Sequence, residues 1–198
     1  MKHKFILASN SPRRRELLSL IGLKFTVVPA EVEEKTKIGE MPEDMVKRLS
    51  CEKASDVAAR FKESLILAAD TVVVSDGKIF GKPKNESEAR YMLRALAGVC
   101  HQVYTGVTVI SPKGDRLTTS EKTDVFFRDL KDDDIENYLA VGEWKDKAGA
   151  YAIQGAGAVL VEHVNGCYYN VVGLPLARVS VILTKMGLKL SEQWGIGE

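Results

Sequence analysis

The sequence predicts an α/β protein built on a mixed central sheet flanked by helices. Three observations carry that expectation. Strand-like and helix-like segments intermingle along the chain rather than separating into blocks. Leu65 to Ser75 is its most apolar run, with the length and β-branched content of a buried central strand. Two turn signals, Pro112-Lys-Gly-Asp115 and Asn165-Gly166, each sit between strand-like runs, so part of the sheet is antiparallel.

Taken in order, Phe5 to Ala8 reads as a short buried strand, and Ser9-Asn10-Ser11 as a turn. Ser11 caps a helix opened by Pro12 at its first position, with Leu17, Leu18 and Ile21 as its apolar face and Gly22 as its stop. Phe25 to Val28 is a second strand, followed by the acidic loop Glu31-Val-Glu-Glu34. Pro42 opens a long helix reaching about Phe61. After the central strand, Ser75-Asp76-Gly77 turns the chain. Asn85 caps a helix with Glu88 three residues on, ending at Gly98. Val103–Ile110 and Leu117–Phe127 form one hairpin, and Val159–Val164 and Cys167–Val172 a second. Between the hairpins lies a helix from Asp132 to about Gly142, and the last helix runs from about Leu174 to Met186. With no repeats and no Pro/Gly/Ser linker, the expectation is a single domain over residues 1–198.

Composition narrows the function. The 198 residues carry 28 Lys plus Arg against 27 Asp plus Glu, a net charge of +1. That balance gives no long-range field toward nucleic acid or an acidic membrane, and no basic stripe carries interleaved aromatics. No apolar run reaches the ~20 residues of a membrane helix, and the apolar stretch near the N-terminus is too short for a secretory leader. Cys51, Cys100 and Cys167 are scattered, as in a reducing compartment, so the expected location is cytoplasmic. His3, His101 and His163 lie far apart and read as non-catalytic. The glycine-rich phosphate loop, the dinucleotide fingerprint and the nucleophile elbow are all missing from the sequence.

The informative positions are polar residues in apolar surroundings. Asp70 sits inside Leu65-Ile-Leu-Ala-Ala-Asp-Thr-Val-Val-Val74, on one face with Ile66, Ala68, Val72 and Val74. A bare carboxylate there costs several kcal/mol, which a metal ion or a cationic cluster relieves. The competing reading is a strand that ends early and leaves Asp70 at a solvated edge. Lys53 lies on the stripe of Leu49 and Val57, either as a functional cation or as a lysine whose stem covers the core. Arg13, Arg14 and Arg15 follow Ser9-Asn-Ser-Pro12, where a strand, a tight turn and a helix N-terminus make an anion site. Of the three, Arg15 is the one expected to be exposed. Lys82, in Phe80-Gly-Lys-Pro83, is a fourth cation, which taken singly reads as a turn lysine. Either glutamate of the Glu33–Glu34 pair, with Asp70, completes an oxygen-rich Mg²⁺ site, unless the loop is simply solvated. In Lys147-Ala-Gly-Ala-Tyr-Ala-Ile-Gln154-Gly, small residues admit a close ligand. The Gln154 carboxamide matches the carbonyl and ring N–H of uracil or thymine, or it ties down a loop backbone. Together these residues suggest Mg²⁺-dependent chemistry on a polyphosphate.

The sequence resembles the Maf family of nucleotide pyrophosphatases over essentially its whole length. The resemblance rests on Leu7-Ala-Ser-Asn-Ser-Pro-Arg-Arg14, Ala69-Asp-Thr-Val-Val73, Gly81-Lys-Pro83, Thr105-Gly-Val107, Asp146-Lys-Ala-Gly-Ala-Tyr-Ala-Ile-Gln-Gly155 and Val172-Gly-Leu-Pro175, in this order. It implies an α/β fold with a mixed, twisted central sheet and two lobes around a cleft, similar to inosine triphosphate pyrophosphatase. It implies hydrolysis of a nucleoside triphosphate to the monophosphate and pyrophosphate with a divalent cation, Mg²⁺ or Mn²⁺. Asp70 would be the proton acceptor, and Arg13, Thr71 and Gln154 would set specificity. Ser9, Arg14, Lys53 and Lys82 would bind phosphate, and Glu33 would join Asp70 at the metal. The Gln154 motif resembles the branch acting on dTTP and UTP rather than the 7-methyl-GTP branch. Ala152 departs from the more usual glycine and bears on the base pocket. The family often forms homodimers, and its name ties it to septum formation, which would make regulation by binding alone the alternative function.

Overall fold

The structure is a computed structural model that describes residues 4–194. Among these, the elements run β1 (Lys4–Leu7), α1 (Pro12–Leu20), β2 (Thr26–Val27), α2 (Pro42–Arg60), β3 (Ser64–Ser75), β4 (Lys78–Phe80) and α3 (Glu86–Leu96). They continue with β5 (Cys100–Ile110), β6 (Arg116–Phe127), α4 (Asp132–Val141), β7 (Val161–Asn165), α5 (Tyr168–Val172), α6 (Leu176–Lys185) and α7 (Leu190–Gln193). Short 3-10 turns cover Ala148–Ala150 and Gly155–Leu160. The strand order is β2-β1-β3-β5-β6-β7, with β4 attached to β3. β1 is parallel to both β2 and β3, whereas β4 on β3 and β7 on β6 are antiparallel, so the sheet is mixed as expected.

The chain divides into two compact units. The first holds described residues up to 70, then 105–121 and those from 173 onward; the second holds 71–104 and 122–172. The chain passes from one to the other inside β3, β5 and β6, and once more directly after α5. Among the described residues no helix is long and apolar enough to cross a membrane.

In the first unit, Ile6 and Ala8 of the β1 segment and Ile66 and Ala68 of β3 pack on Ala54 and Val57 of α2. α2 begins at Pro42, which needs no partner for its missing N–H, and has Glu43 and Asp44 in its first turn and Arg60 in its last. Its depth against β5 is set by Gly106: a Cβ there would lie 2.1 Å from the Val46 carbonyl oxygen. The Thr105-Gly-Val107 motif is therefore a close-approach site. Ser50 and Thr108 tie the same two elements by a buried hydroxyl–hydroxyl bond of 2.9 Å.

In the second unit, Asp76 and Gly77 both have positive φ, the geometry of a tight two-residue hairpin turn, and so β3 doubles back into β4. Asn85 caps α3 by accepting the Glu88 N–H at 2.9 Å. The second hairpin expected from the sequence keeps only its first strand. Residues 155–160 form a 3-10 turn, β7 starts at Val161, and the run Cys167–Val172 ends in helix α5. The reason is tertiary: buried Asn170 donates to the Val103 carbonyl at 2.9 Å and to Thr123 Oγ1 at 3.0 Å. Thr123 Oγ1 also accepts the Cys167 N–H at 3.0 Å. These bonds hold the segment in a helical turn despite its β-branched and aromatic residues.

Gly106→Ala is expected to lower stability by about 2 kcal/mol or more, because the clash is with backbone rather than a movable side chain. Urea unfolding of the variant beside the parent protein measures it.

Candidate active site

Asp70 is the next inward residue after Ile66 and Ala68 on the β3 face that packs on α2. It is 5% exposed. One residue before Ala54 on α2 stands Lys53, and its Nζ donates to Asp70 Oδ1 at 2.6 Å. The same ammonium lies 2.6 Å from Glu34 Oε1. Two carboxylates thus converge on one largely buried cation. Glu33, by contrast, is solvent-exposed and pairs with Lys35 at 2.9 Å. The acidic loop is held against α2 by Arg48, whose guanidinium donates to Glu40, to Glu52 and to the Lys35 carbonyl at 2.9 Å.

The arginine cluster lies in the same unit. Ser11 caps α1 through the Arg14 N–H, and the first turn of α1 has no acidic residue. Arg14 Nε donates to the Gly173 carbonyl at 2.9 Å, which gives the Val172-Gly-Leu-Pro175 motif a physical role. Arg14 Nη1 donates to Ser9 Oγ at 3.4 Å, and the Ser11 N–H donates to the same oxygen at 3.1 Å. Ser9 is buried and accepts twice, so its own hydroxyl proton can serve an anion. Burial pulls the Arg14 pKa below its usual value, against the raising influence of Asp70 and Glu34. Arg14 is half-buried, and a guanidinium partly withdrawn from water gains from a bound anion. Arg13 is half-buried and Arg15 exposed.

The second unit holds Thr71, Lys82 and Gln154. Thr71 is half-buried in β3, next in chain to Asp70, and Lys82 is exposed in the turn after β4. The segment carrying Gln154 is shaped by backbone constraints. Gly149 and Ala150 both have positive φ. A Cβ on Gly149 would lie 3.0 Å from Val73, and its N–H donates to the Gly81 carbonyl at 3.1 Å, which ties the segment to the Gly81-Lys-Pro83 turn. The Ala152 N–H donates to the Tyr138 hydroxyl at 3.1 Å, and Tyr151 meets His101 Nε2 at 2.9 Å. Gln154 occupies the N-cap position of the 3-10 turn that follows, but its carboxamide makes no cap bond there.

The sequence profile of the Maf-like protein family matches residues 4–186. The chain belongs to the Maf-like protein family. Its relatives include proteins named dTTP/UTP pyrophosphatase. That of Bacillus cytotoxicus is 51% identical over 89% of this chain and 92% of its own length. That of Syntrophomonas wolfei is 47% identical over 93% and 98%. That of Dictyoglomus thermophilum is 48% identical over 96% and 100%. A solved HAM1 protein from Coxiella burnetii aligns over 92% of this chain and 99% of its own, at 13% identity and a TM-score of 0.49. The mixed sheet of the Maf-like chain stands on its own strand pairing.

Ser9, Arg14, Lys53 and Asp70 are brought together in the first unit of this Maf-like protein, together with Glu34. Three contributors were not expected from the sequence: in the first unit the Gly173 carbonyl and Arg48, and in the second Glu143, whose carboxylate accepts the Ala156 and Gly157 N–H groups. The first is a backbone atom without a residue-type signature. Arg48 and Glu143 look like ordinary surface charges in sequence. His101, read from sequence as an isolated non-catalytic histidine just ahead of the strand expected from Val103, lies inside β5 because that strand starts at Cys100.

His101 is fully buried, its Nδ1 has no hydrogen-bond partner, and burial pulls its pKa down to about 4. Between the ordinary value of 6.5 and about 4, the unfolded chain binds a proton there that the native chain does not. Native stability therefore falls with falling pH across that window, by up to about 3 kcal/mol from this group. Urea midpoints from pH 7 to pH 4 are expected to decline less steeply in His101→Gln than in the parent protein.

Proposed function

We propose that this Maf-like protein hydrolyses dTTP and UTP to the nucleoside monophosphate and pyrophosphate. The convergence of Asp70 and Glu34 on the Lys53 ammonium carries the reading, with the half-buried Arg14 in the same unit. The relatives named dTTP/UTP pyrophosphatase support the choice of reaction and substrate. The site offers cations for a triphosphate and a buried carboxylate for water.

Arg14, Arg13, Ser9 and Lys53 bind phosphate oxygens, assisted by Lys82. Asp70 is the general base: Lys53 takes Oδ1, which leaves Oδ2 to accept the proton of the attacking water. As the α–β phosphoanhydride breaks, the arginine and lysine cations balance the charge that builds on pyrophosphate. Thr71 and Gln154, with Arg13, set base selection. The Gln154 carboxamide presents a donor and an acceptor to the adjacent carbonyl and ring N–H of the pyrimidine.

The donor set also suits a divalent cation. Among the described residues there is no cluster of three or more candidate protein ligands. Asp70 and one carboxylate of the Glu33–Glu34 pair fit an ion such as Mg²⁺ or Mn²⁺ that takes its other ligands from phosphates and water. Of that pair, Glu34 is the one at the Lys53 ammonium. When bound, the ion neutralises phosphate charge.

The test is pyrophosphate release across a nucleotide panel with Mg²⁺ or Mn²⁺. UTP and dTTP are expected to be turned over well and purine triphosphates poorly; release from no nucleotide would overturn the reading. Asp70→Asn is expected to lose about 10²–10⁴-fold in kcat while keeping its thermal midpoint within a few degrees. Wild-type-like turnover in the folded variant would remove Asp70 from the mechanism. Gln154→Glu replaces the amide donor with an acceptor and is expected to weaken the preference for UTP and dTTP by about tenfold or more. Unchanged kcat/KM ratios would reject Gln154 as the base reader.

A further inference from the structure

The 3-10 turn Gly155–Leu160 begins directly after Gln154. An N-cap side chain ordinarily accepts from the N–H groups of the second or third residue of the turn it opens. Here those donors belong to Ala156 and Gly157, and neither goes to Gln154. Both go to Glu143, from the loop that follows α4: the Ala156 N–H donates to Oε1 at 3.0 Å and the Gly157 N–H to Oε2 at 3.2 Å. Each is a charge-assisted bond, stronger than a neutral one. Gly155 makes room for this approach, since a Cβ there would lie 2.4 Å from Glu143 Oε1. Its φ of +72° is also one that only glycine adopts without strain.

We propose that Glu143 is a positioning residue for base selection: it caps the turn in place of Gln154 and so leaves the Gln154 carboxamide for the pyrimidine. The proposal rests on the reading of Gln154 as the base reader. The segment leading to Gln154 is pinned on its near side by Tyr138 at the Ala152 N–H and by His101 at Tyr151. Glu143 supplies the corresponding constraint on the far side. Without it, two N–H groups lose their acceptor, and the nearest replacement in sequence is the carboxamide of Gln154 itself. Diversion of that amide oxygen into a cap removes the acceptor half of the pair that matches uracil or thymine.

The experiment compares Glu143→Ala, Glu143→Gln and Gln154→Glu in the full chain. Steady-state kinetics on UTP, dTTP, ATP and GTP are combined with amide hydrogen exchange at Ala156 and Gly157. In Glu143→Ala the two amides are expected to exchange faster. The KM for UTP and dTTP is expected to rise about tenfold with a smaller change in kcat, and kcat/KM for the purine triphosphates to stay within about twofold. Glu143→Gln retains one acceptor oxygen and is expected to recover part of the pyrimidine preference, and it carries the test if the alanine variant does not fold. A loss by the same factor on all four nucleotides would overturn the proposal and leave Glu143 a purely structural residue. So would an unchanged preference despite faster exchange. Altered preference in Gln154→Glu with none in the Glu143 variants rejects only the positioning role, whereas unchanged preference in Gln154→Glu rejects the base-reader reading beneath it.

Discussion

The contact on which the first unit's chemistry depends is the Lys53 ammonium held at 2.6 Å by both Asp70 and Glu34. A carboxylate as buried as Asp70, left without a cation, would cost about 3–5 kcal/mol, enough to threaten a marginally stable fold. Its compensation comes from a helix and not from the strand that carries it, so α2 must lie at one depth and one rotation. Gly106 admits α2 to that depth, and the Ile66–Ala68 face against Ala54 and Val57 fixes its rotation. Arg48 then holds the acidic loop so that Glu34 can reach the same ammonium. Each site side chain is thus aimed by backbone packing some distance from it.

The second unit uses another device. Gln154 sits at the end of a segment whose backbone is forced into unusual conformations. Ala150 has a positive φ while fully buried, a strain of about 1–3 kcal/mol that persists only where the surroundings determine it. The Gly81 carbonyl, the Tyr138 hydroxyl and the carboxylate of Glu143 supply that determination through main-chain hydrogen bonds. His101 adds a side-chain contact to Tyr151, a buried polar pair that costs stability in acid. Tyr138 and Glu143 spend hydrogen bonds on the backbone of the Gln154 segment, and the carboxamide itself caps nothing. Rigid backbone with an uncommitted polar tip suits selection between bases better than a mobile loop does.

Much of this was legible in advance. Asp70 stood out because a carboxylate breaks an apolar strand, and Lys53 because a cation interrupts an apolar helical stripe. Ser11, Pro12 and Asn85 announced helix starts by local capping chemistry, and the structure shows helices at α1 and α3 accordingly. The segment Cys167–Val172 misled for the opposite reason. Its aromatic and β-branched residues favour a strand, yet Asn170 and Thr123, distant in sequence, hold it helical. The assignment within the Glu33–Glu34 pair was equally closed to the sequence, since adjacent glutamates are chemically the same until a neighbour takes one of them.

What the sequence by itself determined were local matters: where helices begin, which strand is central, which polar residues are out of place, and which family the motifs resemble. Those follow from propensity, capping and periodicity, each set within a few residues of chain. The tertiary structure alone decided which glutamate meets Lys53, why Gly106 is needed, that the Gly173 carbonyl receives Arg14, and that Glu143 caps the turn Gln154 opens. These depend on atoms brought together from distant stretches of chain, and the distance between two such atoms is set by the packing of everything between them.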